Sequence, residues 1–316
     1  MTHTSFAFAF DSRFGGFLNA PHPSVYPDAA FAVAGVAWDG ATTHRPGARH
    51  GPAAIRAASH MRCDAVHPLF DRAPLPGELV DYGDLPVPNT AIERMRAALT
   101  PVAQQLIERH HMLWLGGDHS ITLPLLHAYR EWLGEPLALV HFDAHCDTWS
   151  SHFDEPSGHG TWLREAVEAG LVDPCATTQI GLRSAAARDV RDYVTERGGR
   201  IFSARSLRGL ETADALAQVV DHVHAVTKGR PTYLTLDIDC LDPAFAPGTG
   251  TPEPGGLTTA QVLSLLEAWD DVAWVGMDLC EVSPPFDHAE LTSNAASALA
   301  WTYLCARLVQ RLRHRS

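Results

Sequence analysis

The segment LALVHFDAHCD, residues 137–147, joins two patterns whose combination decides the fold class. Leu137 to Phe142 is a nearly unbroken apolar run of strand length, and acids and histidines begin where it ends. An apolar run without alternation marks a strand buried on both faces, as in a parallel sheet covered by helices. Two other runs end in the same way. LWLGG (113–117) leads into Asp118, His119 and Ser120, and YLTL (233–236) leads into Asp237, Ile238 and Asp239.

Working outward, the pattern predicts strands at Phe31–Trp38, Met112–Gly116, Leu137–Phe142, Thr177–Leu182, Thr232–Ile238 and Ala273–Leu279. Helical periodicity falls between them, at Pro52–Ser59, Ala91–His110, Ile121–Trp132, Thr161–Ala169, Ala213–Thr227, Thr259–Trp269 and Ser293–Leu312. Pro101 is expected to break or kink the second helix. Alternation of this kind is an α/β protein with a mainly parallel central sheet flanked by helices. Pro and Gly cluster in Pro21–Pro27, Pro74–Pro88 and Pro243–Gly256, each read as a surface loop. No repeat or linker divides the chain, so residues 31–316 are expected to be one domain and residues 1–30 an arm or lid.

With 316 residues, 46% of them hydrophobic, the chain has material for a sizeable core. Its 24 basic and 37 acidic residues leave a formal charge of −13, and the only lysine is Lys228. That balance excludes nucleic acid and anionic membranes as partners, since both need clustered Lys and Arg. It suits a cationic ligand or a bound metal. No apolar run approaches the roughly 18 residues of a membrane span. The opening MTHTSFAFAFDSRFGG lacks a secretory pattern, so a cytoplasmic location is expected. The six cysteines have no CxxC spacing and read as reduced, packing thiols.

The charged clusters carry the chemistry. In open α/β sheets ligands bind beyond the carboxyl ends of the strands, so acids far apart in sequence converge there. In extended chain, alternate side chains share a face, which would aim Asp143, His145 and Asp147 together, and likewise Asp237 and Asp239. Five or more carboxylates packed in one site repel strongly unless a cation holds them, and divalent metals are the usual answer. Carboxylates mixed with imidazole suit Mn, Fe, Co, Ni or Zn better than Ca or Cu. A lone Asp at a strand end is ordinarily a cap or turn residue, and a lone His a satisfied core imidazole. Three clusters on successive strands outweigh that reading. Asp118 and Asp242, at the margins, are read as supporting or turn-forming residues. A phosphoryl-transfer role for the DxD motif fails because no phosphate-cradling Gly-rich loop with a lysine accompanies it.

GGDHS, HFDAHCD and DIDCLDPAFAPGTGTP, together with HRPGARHGPAAIR (44–56) and GMDLCEVSPPFDHAELTS (276–293), resemble the ureohydrolase family of arginases and agmatinases. The resemblance runs from about Phe31 to Arg307, and the agmatinase branch is the nearest in wording. It implies the three-layer arginase-like fold and urea release from a guanidino compound. It also implies two Mn²⁺ per chain, with Ni²⁺ or Co²⁺ as alternatives, and a homotrimer or homohexamer. By motif, one ion would be held by His119, Asp143, Asp147 and Asp237, and the other by His145, Asp143, Asp237 and Asp239. Asp147 would relay a proton, His159 would match the shuttle histidine, and Glu281 the carboxylate that pairs with the guanidinium.

Substrate choice is read in the loop after Asp147. In arginases that loop carries Asn and Ser residues for an α-carboxylate; here Thr148–Gly158 has no Asn. Asp154 and Glu155 would repel a carboxylate, while Trp149 and Phe153 would pack an alkyl chain. This favours a small cationic guanidine, agmatine above all. A guanidino acid such as 4-guanidinobutyrate is the alternative, because Glu253 occurs in relatives acting on such acids as well as in some agmatinases. Arg13, Arg45, Arg49 and Arg183 would be the candidate contacts for its carboxylate.

Overall fold

The computed structural model describes residues 15–313, so residues 1–14 of the expected arm, Arg13 among them, lie outside the described residues. Eight strands form one sheet: β1 Phe31–Val36, β2 Leu79–Asp84, β3 His111–Gly116, β4 Leu137–Phe142, β5 Val172–Ile180, β6 Arg200–Phe202, β7 Thr232–Asp237 and β8 Trp274–Cys280. Their order is β2-β1-β3-β8-β7-β4-β5-β6, and every pairing is parallel. The helices are α1 Gly51–Ser59, α2 Ile92–Ile107, α3 Thr122–Leu133, α4 Trp162–Glu168, α5 Arg188–Arg191, α6 Ala217–Thr227, α7 Thr259–Ala268 and α8 Leu291–Arg313.

Alternating strand residues enter two separate apolar layers, which is why the strands are mainly apolar on both faces. Leu113, Val140, Leu234 and Leu236 pack with Ile55 of α1, Val223 of α6, Leu265 of α7 and Leu304 of α8. Met112, Trp114, Leu139 and Tyr233 pack with Leu99 of α2, Leu126 of α3 and Leu163 of α4. The result is the expected three-layer α/β sandwich. Gly117 shows how closely the layers meet: a Cβ there would run into the carbonyl of Trp38.

Three expectations change. The stretch Pro74–Pro88 is not all loop, because Leu79–Asp84 forms edge strand β2 beside β1. Asp81 and Gly83 had disguised it. β6, only three residues long, also escaped the pattern. Pro101 does not break α2, which runs through it from Ile92 to Ile107. Pro101 lies on the exposed side of the helix, where the carbonyl released from the helix ladder faces solvent and the missing bond costs least.

Asp81 is the hub of this edge. Arg56 of α1 donates Nε and Nη2 to its two carboxylate oxygens at 2.8 and 3.0 Å, and Nη1 to Asp84. Phe17 N–H donates to Asp81 Oδ2 at 2.7 Å, tying the fully buried Phe17 and the chain preceding β1 to the sheet. These carboxylates raise the guanidinium pKa in spite of its burial. Asp81→Ala strands a buried guanidinium and is expected to cost about 3 kcal/mol in denaturant unfolding. A loss below about 1 kcal/mol would show that Asp84 alone suffices.

Candidate metal centre and active site

The motif-bearing strands β3, β8, β7 and β4 are neighbours in the middle of the sheet. Register aligns one row of side chains beneath their carboxyl ends: Trp114 opposite Asp278, Asp278 opposite Thr235, Thr235 opposite His141, and His141 opposite Gln179. All five are fully buried or nearly so, and four are polar. Polar residues at this depth are costly unless they bond one another. Thr235 donates its hydroxyl to Asp278 Oδ1 at 2.5 Å, and Gln179 donates Nε2–H to His141 Nδ1 at 3.2 Å.

That row sets the state of the residues above it. With its proton given to Asp278, Thr235 Oγ1 accepts from His119 Nε2–H at 2.7 Å. The neutral imidazole then carries its lone pair on Nδ1. This buried atom has no hydrogen-bond partner and lies 3.1, 3.3 and 3.4 Å from oxygens of Asp143, Asp147 and Asp237. Similarly, Gln179 fixes the proton of His141 on Nε2, which donates to Asp143 Oδ2 at 2.8 Å. A second group adjoins the first: His145 Nδ1 stands 3.2 Å from Asp143 Oδ1 and 3.0 Å from Asp239 Oδ2. Asp143 belongs to both groups.

The acids do not converge by the extended alternation expected. The chain leaves β4 at Phe142, and Asp147 takes a left-handed backbone at φ 54°. Asp237 caps a tight turn by accepting Asp239 N–H at 2.8 Å, and Asp143 accepts His145 N–H at 2.6 Å. Side-chain-to-backbone bonds of this kind favour turns over strand. Trp162 Nε1–H holds Asp147 Oδ2 at 2.6 Å, and Ala144 N–H holds Asp239 Oδ1 at 3.0 Å. Asp118 and Asp242 are turn formers, accepting backbone N–H groups of Ser120 and Ala41, and of Ala244, Gly255 and Gly256, respectively.

Electrostatics describe a site short of positive charge. Burial, then Asp239 and Asp143, pushes Asp237 well above the ordinary carboxylate range; burial and Asp143 raise Asp147. Burial opposes a charge on His119 and His145, yet the surrounding carboxylates lift both imidazoles well above their usual pKa. Two hard cations in place of those protons would relieve every one of these shifts. The donor set of imidazole nitrogens and carboxylate oxygens, with a lone pair already aimed at the acids, fits divalent metal ions. His141 is spoken for at both nitrogens and serves as a support. Cys146 and Cys240 are buried, with thiols raised by burial, as packing residues are.

Glu281 and His159 adjoin this centre. Glu281, at φ 64°, accepts His119 N–H at 3.0 Å and His159 Nδ1–H at 2.8 Å on Oε1. Its Oε2 is buried without a partner, and a Cβ on Gly250 would stand 3.5 Å from it. His159 Nε2 lies 2.8 Å from Thr43 Oγ1. A cavity of about 160 Å³ opens beside them, lined by Thr43, His145, Asp147, Trp149, His152, His159, Gly160, Ser184, Asp237 and Thr251, with Glu281 buried behind His159.

Of the predicted loop residues, only Trp149 lines that cavity. His152 and Glu155 pair backbone to backbone at 2.9 and 2.8 Å, leaving Phe153 and Asp154 at a hairpin tip with φ 51° and 66°. Such a turn throws its side chains outward. Phe153 is 84% exposed, and it and Glu155 line a neighbouring groove instead. The sequence reading missed Thr43, His152, Ser184 and Thr251 in the cavity and His141, Gln179, Thr235 and Asp278 beneath it. The polar interruptions of strands β4, β5, β7 and β8 were the available signal for the second group.

The arginase-family model matches residues 29–305. The chain belongs to the arginase family. An agmatinase of Chromobacterium violaceum is 40% identical over 288 residues, covering 87% of this chain and 82% of that protein. Among solved structures, a hypothetical agmatinase from Burkholderia thailandensis superposes with a TM-score of 0.84 at 36% identity, covering 95% of this chain and 92% of that one. The proclavaminate amidinohydrolase of Streptomyces clavuligerus gives 0.83 at 36% identity, covering 94% and 97%. The arginase-family chain therefore carries its His/Asp cluster on the family's fold.

Thr235→Val keeps the shape of the side chain but frees the His119 tautomer. It is expected to weaken affinity for one of two metal ions by about 10- to 100-fold, as loss of a ligand's supporting bond does. Metal titration by calorimetry checks this; two unaltered binding steps would contradict the tautomer argument.

Proposed function

We propose that this arginase-family enzyme hydrolyses agmatine to putrescine and urea, using two divalent ions held by His119, Asp143, His145, Asp147, Asp237 and Asp239. Manganese is the expected metal, a homotrimer or homohexamer the expected assembly, and the cytoplasm the expected location. No helix among the described residues is long and apolar enough to cross a membrane. The unpartnered, buried Oε2 of Glu281 beside His159 is the observation that carries the reading. It is a carboxylate oxygen awaiting a donor, and a planar guanidinium supplies parallel N–H groups to such an acceptor.

The ions, when bound, acidify water to near neutral pH. The chain's own residues do the rest. Glu281 orients the guanidinium carbon toward the carboxylate cluster. Asp147, fixed by Trp162, accepts the proton released from the attacking water. His159 holds a proton on Nδ1 against Glu281 and delivers it to the leaving amine nitrogen. Burial works against that protonation, but Glu281 and then Asp118 lift the imidazole to about 9.

An amine-ended substrate is favoured because no arginine or lysine lines the cavity among the described residues. Arg183 donates all three guanidinium nitrogens to backbone carbonyls, Arg49 pairs with Asp39, and Arg45 stacks on Phe286 at 5.2 Å. Among the described residues, a guanidino acid would meet no arginine or lysine in the cavity. Asp154 and Glu155 lend no support to this preference, since neither lines the cavity.

Urea release from agmatine, 4-guanidinobutyrate, 3-guanidinopropionate, arginine and guanidine, with Mn and Ni loading compared, tests the proposal; agmatine should give the highest kcat/KM. No urea from any of them would overturn the activity, and a 4-guanidinobutyrate preference would overturn the substrate. Within the active enzyme, Asp147→Asn should lower kcat far more than His159→Ala, and Glu281→Gln should damage kcat/KM while metal content stays near two per chain. Equal small effects would contradict these roles.

The pH profile adds a separate check. A histidine raised to about 9 is protonated below that value and neutral above it. Turnover that needs its proton should persist to about pH 9 and fall beyond. The basic limb should disappear from the residual activity of His159→Ala; a limb that stays in place belongs to another group.

A further inference from the structure

We infer that Ser184 and Glu253 form the far end of the substrate cavity and recognise the substrate's ammonium group, an inference that rests on the amine-ended guanidine proposed above. Ser184 lines the cavity, and its hydroxyl donates to Glu253 Oε1 at 3.0 Å. A serine hydroxyl has one proton and two lone pairs. With the proton engaged by Glu253, Ser184 offers the cavity acceptor capacity only, backed by a full negative charge. It can accept from an ammonium and has nothing to donate to a carboxylate. The pair thus reads the sign of the substrate's tail.

The position of Glu253 is firmly determined. Pro252 and Pro254 flank it, and Arg183 donates Nε and Nη2 to its carbonyl at 2.9 and 2.6 Å. Gly255, at φ 84°, donates its N–H to Asp242 at 2.7 Å and closes the turn. Spacing also fits. Thr251, which lines the cavity and donates to Asp239 Oδ2 at 3.2 Å, marks its metal end. Glu253 follows after two residues, a span of at most about 7 Å when extended. The run from the guanidinium carbon to the ammonium nitrogen of agmatine contains as many bonds as two residues of backbone, and has the same reach.

The test measures kcat/KM for agmatine against n-butylguanidine, which lacks the ammonium, in the parent enzyme, Ser184→Ala and Glu253→Gln. Butylguanidine is read as a substrate or, if cleaved too slowly, as a competitive inhibitor. The preference for agmatine should fall by about 10- to 100-fold in each variant, the size expected for losing a hydrogen bond to a charged group. The fall should come through KM. Discrimination against 4-guanidinobutyrate should narrow in parallel. Ser184→Ala removes a single oxygen and carries the test if Glu253→Gln does not fold. Agmatine preference within about threefold of the parent in the variants overturns the inference while leaving agmatine hydrolysis intact. A parent enzyme that leaves agmatine untouched overturns both.

Discussion

Mutual repulsion among buried carboxylates at the carboxyl end of four adjacent strands is the constraint on which the rest of this structure turns. Asp143, Asp147, Asp237 and Asp239 are each at most 3% exposed, at distances where full ionisation without a cation is unfavourable. Among the described residues no arginine or lysine pairs with these acids. The protein aims the lone pair of His119 at three of the acids and sets His145 against Asp143 and Asp239. A site built this way is destabilising when empty and favourable when filled, which couples metal affinity to folding.

Holding such a site open needs a rigid floor, and the sheet supplies it. The buried row Asp278, Thr235, His141 and Gln179 crosses β8, β7, β4 and β5 in register, two residues below the acids on β7 and β4. Each hydrogen bond in it has one workable direction, so the proton positions of His119 and His141 follow from residues that touch no metal. A shift of one residue in any of these pairings would turn the row to the opposite face. The apolar residues on both sides of the row therefore serve the chemistry by fixing register. The backbone bears a cost as well: Asp147 and Glu281 adopt left-handed conformations, each worth about 1–2 kcal/mol for a non-glycine residue.

The sequence made the central strands and the charged clusters legible for one reason. Both-face burial forces nearly unbroken apolar runs, and the runs end where the site begins. Phe142 before Asp143 and Leu236 before Asp237 mark that boundary. What escaped the reading has physical causes too. Edge strand β2 hides behind Asp81, whose partner Arg56 lies 25 positions upstream. The convergence of the acids looked like strand alternation because spacing of two suits both an extended chain and an aspartate that bonds the second N–H beyond it. The tip Phe153–Asp154 looked like a substrate contact because composition does not reveal a backbone at positive φ.

The acidic balance of the chain takes on a sharper meaning when the arginines are followed to their partners. Arg56 is committed to Asp81 and Asp84, Arg49 to Asp39, and Arg183 to the carbonyls around Asp239 and Glu253. Arg183 is the instructive case. It comes just before Ser184, within reach of the cavity, yet five donor contacts to carbonyls outside Gly181 hold its guanidinium behind the wall. A planar fork suits that task better than a lysine, because its donors are fixed in directions that several carbonyls can share. Positive charge next to the cavity is thereby used to shape a loop and is withheld from the ligand. The sign of the cavity follows from this placement of one guanidinium more than from the overall charge of −13.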